Sequence, residues 1–248
     1  MLRAGPGLAQ LAALTLASIL TACAGAPRDV SLPIDDPNEA FNRKVFAVNQ
    51  VVLHPPATVA KALPAPVIDR LRDVDSNLKE PRIFGNDILQ GRMNAAGITF
   101  ARFLFNSTFG LGGLFDVAGQ GGLPKQTGDF GQTLFVWGAP AGTFTVSPYF
   151  GPATQRDAVG GIVDVGADPV GWTLGVFGWP ASVAAGGLGA TVRLGQLKEA
   201  EQSSIDFYSF LRSDYYQIRR AALREAVGMP PVTESPATGS PAAVGNRQ

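Results

Sequence analysis

The chain has 248 residues, enough for one large domain or two small ones, and its 20 basic and 20 acidic residues cancel, which leaves no global basic field to hold nucleic acid. Only 16% of residues are charged, against about 25% in an ordinary soluble domain, while Gly (30) and Phe (15) are plentiful; this balance is unusual for a cytosolic enzyme and suits a protein that meets lipid. One cysteine excludes an intramolecular disulfide, and one histidine, His54, leaves a metal cluster or a conventional catalytic triad almost nothing to draw on.

The N-terminus reads as a secretory signal. Arg3 and the free amine are positive, Leu8 to Leu20 is apolar apart from Gln10, Thr15 and Ser18, and small residues precede Cys23 in L-T-A-C. The segment is similar to a bacterial lipobox, which makes residues 1–22 the signal peptide and Cys23 the acylated N-terminus, with residues 23–35 as a tether. The alternative is an ordinary signal peptide with an incidental cysteine. Two or more acyl chains anchor stably, at about 0.8 kcal/mol per buried CH₂. Ala24, rather than Asp, follows the cysteine; by resemblance to bacterial lipoproteins this implies sorting to the outer membrane.

The folded part, residues 36–228, opens on D-P-N-E, which predicts Asp36 as N-cap, Pro37 at the first helical position and Glu39 completing a capping box. Phe41, Val45, Val48 and Val52 share one face of this helix, which is expected to stop before Pro55 and Pro56 with His54 at its surface end. Pro64 to Ser76 predicts a second helix with Val67, Leu71 and Val74 inward, and Glu80-Pro81 a restart that stops near Gly91, a suitable C′ residue. From Met93 a further helix runs to about Asn106. Phe100, Phe103 and Leu104 share one face, but Ile98, Ala101 and Phe105 occupy the others, so it is apolar nearly all round and belongs in a core or in lipid. It runs into Gly110, Gly112 and Gly113, where the backbone is free to take φ > 0. These glycines, with Phe103, Phe109 and Phe115, are candidate channel, hinge or lipid-contact residues; simple packing is the alternative.

Phe130 to Gln155 carries no charge, and Pro140, Pro148 and Pro152 forbid one straight helix; Thr143 to Ser147 has the look of a short strand, and a short helix follows Arg156-Asp157 through Val163. Pro169 to Val192 is again charge-free. It has the ~20-residue length of a membrane span, but Gly171, Gly175, Gly178 and Pro180 interrupt it. It reads as helical pieces within one leaflet, with Trp172 and Trp179 near the headgroups and Trp172 and Phe177 as lipid contacts; a buried core hairpin is the alternative. Ser203 to Gly228 predicts a closing helix with Phe207, Leu211, Tyr215, Ile218 and Ala222 on one face and Arg219, Arg220 and Arg224 placed to suit the helix dipole. Residues 229–248 are rich in Pro and Ala and are expected to be disordered.

There is no G-x-S-x-G, no P-loop and no G-x-G-x-x-G in the chain. Asp116, Asp129, Asp157, Asp164 and Asp168 flank apolar segments, which suits caps and interfacial charges better than a catalytic pair. No catalytic residue, no metal and no cofactor are expected beyond the covalent lipid on Cys23; an enzyme is the weak reading.

Several motifs together resemble the MlaA (VacJ) outer-membrane lipoproteins. They are D-P-N-E-A-F-N-R at Asp36 to Arg43, N-L-K-E-P at Asn77 to Pro81, L-Q-G at Leu89 to Gly91, and R-F-L-F-N-S-T-F-G-L-G-G-L-F-D-V-A at Arg102 to Ala118. F-G-Q-T-L at Phe130, W-G at Trp137, G-P-A-T-Q-R-D at Gly151 and D-F-Y-S-F-L-R at Asp206 continue the match. Pro140, Thr143 and Phe144 stand where that family usually has glycine, proline and tyrosine. The resemblance implies a mostly α fold: a ring-like bundle of amphipathic and apolar helices lying in one membrane leaflet, with irregular Gly/Pro-rich loops and a polar central channel. It also implies that mislocalised phospholipid is removed from the outer leaflet and handed to a soluble periplasmic lipid carrier, in association with porin trimers. The alternative is a structural lipoprotein that braces a porin without moving lipid.

If Cys23 carries the anchor, Cys23→Ser leaves the protein uncleaved or mislocalised and abolishes metabolic labelling by palmitate. Equal label in the variant and the wild type would remove the lipoprotein reading.

Overall fold

A computed structural model describes residues 30–32, 34–62, 64–148, 151–168 and 204–230. The expected signal peptide, Cys23, the stretch 169–192 with Trp172 and Phe177, and the tail beyond Pro230 lie outside the described residues. Along the chain run α1 (Glu39–Ala62), α2 (Ala65–Leu89), α3 (Met93–Thr108), α4 (Val117–Gln120), α5 (Phe130–Val136), β1 (Phe144–Ser147), β2 (Gly151–Thr154), α6 (Gln155–Gly166) and α7 (Phe207–Ala226). The fold is mostly α, as expected. No helix among the described residues is long and apolar enough to cross a membrane.

Prolines mislead the reading of the helices twice. α1 continues through Pro55 and Pro56 to Ala62, and the two predicted helices between Pro64 and Gly91 are one, with Pro81 inside it. A proline inside a helix removes one backbone bond and costs about 3 kcal/mol, yet its fixed φ is itself helical. Around Pro81 tertiary contacts hold the helix together: Asn77 Nδ2 donates to Ser107 Oγ at 3.0 Å and Glu80 pairs with Arg102 at 2.9 Å. At the other end the expectation holds. Gly91 takes φ 76° and donates to the Ile88 carbonyl, while Arg92 N–H reaches back to Asp87 O, a Schellman motif. Val67 is exposed rather than inward, and Leu71 and Val74 are half-buried.

The predicted capping box at Asp36 also gives way to a tertiary role. α1 starts at Glu39, and the Asp36 carboxylate accepts from Asn42 Nδ2, the Tyr208 hydroxyl and Arg212 Nη1. The start of the folded part is thereby tied to α7.

β1 and β2 form an antiparallel hairpin in the register Phe144↔Thr154 to Ser147↔Gly151. β2 was hidden in the sequence by Pro152; a two-stranded sheet has only edges, where proline is tolerated. The small apolar core gathers Leu32, Phe135, Phe144, Val146, Tyr208, Tyr216 and Leu223. Phe144, 1% exposed, lies 5.8–6.3 Å from the rings of Tyr208, Tyr215 and Tyr216. The charge-free stretch from Phe130 to Gln155, whose composition would suit contact with acyl chains, is not turned wholly outward. At Gly131, Gln132, Thr133, Phe135, Phe144 and Val146 it is instead buried inside the protein.

α7 begins one residue after its N-cap Asp206, whose side chain accepts from the Tyr208 and Ser209 amides, rather than at Ser203. Its buried positions are Tyr208, Leu211, Tyr216, Arg219, Leu223 and Ala226, a stripe rotated from the predicted one, and Ile218 is exposed. The cause is Arg219. Its guanidinium pairs with Asp129, the N-cap of α5, and at 2.7 Å with Asp157 in the first turn of α6. Tyr215 donates its hydroxyl proton to Asp157 and accepts from the Thr154 amide at 2.8 Å. Burial works against the charge on Arg219, but Asp129 and Asp157 outweigh it and hold its pKa up. Burial likewise pushes the Asp157 carboxyl up, and Arg219 and Arg156 overcome it to hold that group below the usual range. α5 and α6 meet closely: a Cβ on Gly160 would lie 2.6 Å from Gly131 Cα.

Arg219→Met leaves Asp157 buried with one cation fewer. Removing one partner of a buried pair destabilises by about 3–5 kcal/mol. In the wild type the depressed Asp157 contributes stability that is present above the unfolded carboxylate pKa of about 4 and is lost as pH falls through its lower folded value. Urea unfolding should therefore show the full difference between variant and wild type at pH 7, narrowing as pH drops below about 4.

Candidate functional site: a polar seam beneath an apolar rim

α2 packs against α3, and what they bury between them is largely polar. α2 turns Asn77, Glu80, Asn86 and Asp87 inward beside Ile83, and α3 turns Thr99, Arg102 and Asn106 inward beside Ala95 and Ala96. Thr99, Arg102 and Asn106 follow the i, i+3, i+7 spacing of one helical face. The large apolar side chains of α3 lie on the outside: Met93, Phe100, Leu104, Phe105 and, just past its end, Phe109, 71% exposed. Leu111, Leu114 and Phe115 extend this rim around the following turn. This inverts the usual amphipathic helix.

The inversion recurs. α1 buries Asn42 and Asn49 and exposes Phe41, Val48 and Val51; α6 buries Arg156 and Asp164 and exposes Val159, Ile162 and Val165. Single exposed apolar residues are ordinary, but contiguous apolar surface marks contact with a membrane or a partner.

Every inward polar residue of the seam has partners. Arg102 Nε donates to Glu80 Oε1 at 2.9 Å, Nη1 to the Leu123 carbonyl at 2.7 Å and Nη2 to Asp116 Oδ1 at 3.1 Å. Asn106 donates to Asp116 and accepts from the Ala118 amide. Asp87 accepts from Thr99 Oγ1 at 2.9 Å and lies 3.3 Å from Arg92 Nη1. Asn86 donates to Asp164 at 2.9 Å and accepts from Thr133 Oγ1, which in turn accepts from Gln90. Burial pushes the Glu80, Asp87 and Asp164 carboxyls up. Burial also acts against ionised Asp116, but the Gly119 amide, Asn106 and Arg102 outweigh it and hold that group down. Asp116 and Asp129 are the caps the sequence suggested; Asp157 and Asp164 are interior members of networks instead.

The turn after α3 explains the glycines one at a time. Gly112 (φ 73°) and Gly113 (φ 93°) are left-handed, as is Leu111 (φ 54°). A Cβ on Gly112 would meet open space, whereas one on Gly113 would lie 2.5 Å from Asn77 Cβ. Gly110 has no such dihedral, but its Cβ would lie 2.5 Å from the Asn106 carbonyl oxygen. The turn itself carries Phe109, the three glycines and Phe115, whose ring has the Arg70 guanidinium 4.9 Å from its centroid, while Phe103, half-buried, lies earlier on α3. The sequence reading missed Glu80, Thr99, Arg102 and Asn106. The available signal was the helical spacing of the few polar residues within an otherwise apolar segment.

A profile of the family described as MlaA lipoprotein matches residues 34–222. Three curated relatives are named intermembrane phospholipid transport system lipoprotein MlaA. The one from Escherichia coli K12 is 34% identical over 221 residues and that from Shigella flexneri 32% over 221, each match covering 84% of this chain and 86% of the relative. The one from Haemophilus influenzae Rd is 34% identical over 220 residues, covering 84% and 87%. A solved structure described as the structural basis for maintenance of bacterial outer membrane lipid asymmetry superposes with a TM-score of 0.63 at 28% identity, covering 76% of this chain and 98% of that one.

The glycines should rank by environment. Gly112→Ala pays only for a left-handed alanine, about 1–2 kcal/mol. Gly113→Ala adds the overlap with Asn77 and should lower the urea midpoint further, and Gly113→Val further still. Equal midpoints for the two alanine variants would contradict the close contact with α2.

Proposed function

This chain belongs to the MlaA lipoprotein family, and from that premise we propose that it is an outer-membrane lipoprotein that removes mislocalised phospholipid from the outer leaflet and so maintains lipid asymmetry. Its helices lie in the inner leaflet of the outer membrane, anchored through Cys23, and the lipid passes through a channel to a soluble periplasmic carrier, beside porin trimers. Phe103, Phe109 and Phe115, together with Trp172 and Phe177, are the channel or lipid-contact residues, and Gly110, Gly112 and Gly113 are the hinge that turns the chain behind them.

The observation that carries this reading is the inversion of α3 and its turn: Thr99, Arg102 and Asn106 inside, Phe100, Leu104, Phe105 and Phe109 outside. Moving a charged headgroup past hydrocarbon is costly without a polar route. A protein that offers one needs polar groups inside and apolar groups toward the acyl chains. Helices suit such a setting because they satisfy their own backbone groups. A ring in one leaflet crosses only half of the ~30 Å hydrocarbon core. The sequence has no nucleotide-binding motif, so a partner or the lipid gradient supplies the driving force.

Two measurements test the reading. Cells lacking the protein should accumulate outer-leaflet phospholipid and lose that excess when it is restored. Protein purified in mild detergent should bring intact phospholipid and porin; porin without lipid would indicate bracing alone, and lysophospholipid with free fatty acid would indicate a hydrolase. At the residue level, an unlipidated Phe109→Asp protein should bind vesicles more weakly, since a charge at membrane depth costs up to about 3 kcal/mol, on the order of a hundredfold. Its melting temperature should not change, because the Phe109 side chain is mostly exposed.

A further inference from the structure

We propose that Arg102 is a positioning residue for lipid passage: its guanidinium clamps the segment from Phe109 to Leu123 against α2 and thereby fixes the shape of the apolar rim. The proposal rests on the lipid-transport reading above. Arg102 is 1% exposed and heads the largest fully buried side chains. Its three nitrogens go to three separate places: Nε to Glu80 in the middle of α2, Nη2 to Asp116 at the start of α4, and Nη1 to the Leu123 carbonyl beyond α4. The segment so held carries Phe109, Leu111, Leu114 and Phe115, all exposed. Its backbone is also tied locally, Gly112 to Ser107 and Gly113 to Asn106 at the end of α3 and Phe115 to Gly110 within the turn, but the other side-chain ties are fewer: Asn106 to Asp116 and Ala118, Gly113 against Asn77, and Arg70 to the Leu114 carbonyl and the Phe115 ring.

Stability alone is a poor account of this arrangement. Desolvating an arginine and a glutamate is costly, and apolar residues of the same volume often serve stability as well or better. Glu80 Oε2 is moreover buried without a hydrogen-bond partner. What a guanidinium provides that a methionine cannot is a rigid planar fork that holds several acceptors in one geometry. Lysine, a single point charge on a flexible stem, cannot span the three partners either.

Two variants of the full-length lipoprotein test the clamp. In Glu80→Met/Arg102→Met both buried charges are removed together. In Asp116→Asn one arm of the fork loses its charge while the side-chain oxygen still caps α4, since asparagine is as good an N-cap as aspartate. Each is expressed in cells lacking the protein and also purified for hydrogen exchange. The double variant should keep wild-type abundance, exchange the amides of residues 109–123 at least tenfold faster with α7 unchanged, and leave outer-leaflet phospholipid at the level of the empty vector. Asp116→Asn should show a several-fold increase in exchange over the same residues and partial loss of lipid removal. If the double variant accumulates poorly, Asp116→Asn decides the matter. Wild-type protection of residues 109–123 overturns the clamp, and faster exchange with full lipid removal overturns its role in passage. If the wild-type protein itself fails to lower outer-leaflet phospholipid, the transport reading fails, and the exchange data still judge the clamp.

Discussion

A helix that turns its apolar side chains outward leaves its polar ones inside, and each buried polar group must then find a hydrogen-bonding partner. Most of this structure follows from that constraint. Contacts between apolar side chains are non-directional, whereas a buried carboxylate or guanidinium demands a particular partner at a particular place. The interior is therefore organised by named pairs. Glu80 with Arg102 joins α2 to α3, Asn86 with Asp164 joins α2 to α6, and Arg219 with Asp129 and Asp157 joins α7 to α5 and α6.

The conventional apolar core is small and sits elsewhere, where the β-hairpin meets α7 around Phe144. There the closing helix lays three tyrosines against one phenylalanine while its hydroxyls reach polar groups at the margin: Tyr208 to Asp36 and Tyr215 to Asp157. The start and the end of the described residues are thus fastened together through this helix. Arg43 with Asp206 and Arg212 with Asp36 and Glu39 complete the fastening.

Away from this core, the turn from Phe109 to Phe115 follows α3 and packs against α2. Its backbone takes left-handed dihedrals at three successive residues and passes so close to Asn77 that a side chain at Gly113 has no room. A turn confined by sterics against Asn77, with Arg102 holding Asp116 just past its end, presents its exposed phenylalanines in a fixed arrangement. For a protein whose proposed work is to guide a lipid past hydrocarbon, a defined edge to the wall matters more than the last increment of stability.

The sequence by itself carried the broad outline. Low charge, the lipobox-like start, the Gly91 and Gly228 helix ends and the crowded phenylalanines before Gly110 all rest on composition or on local rules that need no partner. The family motifs rest on residue order alone. What it could not decide is which side of each helix faces in. An apolar stripe is read as a buried face because water is taken to be outside; when the surroundings of a helix are proposed to be lipid, the same stripe points outward and a few polar residues mark the interior. Pro81 was misread for a related reason, since a breaker's local cost is overridden once distant contacts hold the segment, here Asn77 to Ser107 and Glu80 to Arg102. Arg102 and Arg219 lie far along the chain from most of their partners, Asp129 and Asp157 being 90 and 62 residues from Arg219. No period or local motif records such pairs, and only the tertiary structure, by removing them from water together, makes each the condition of the other's burial.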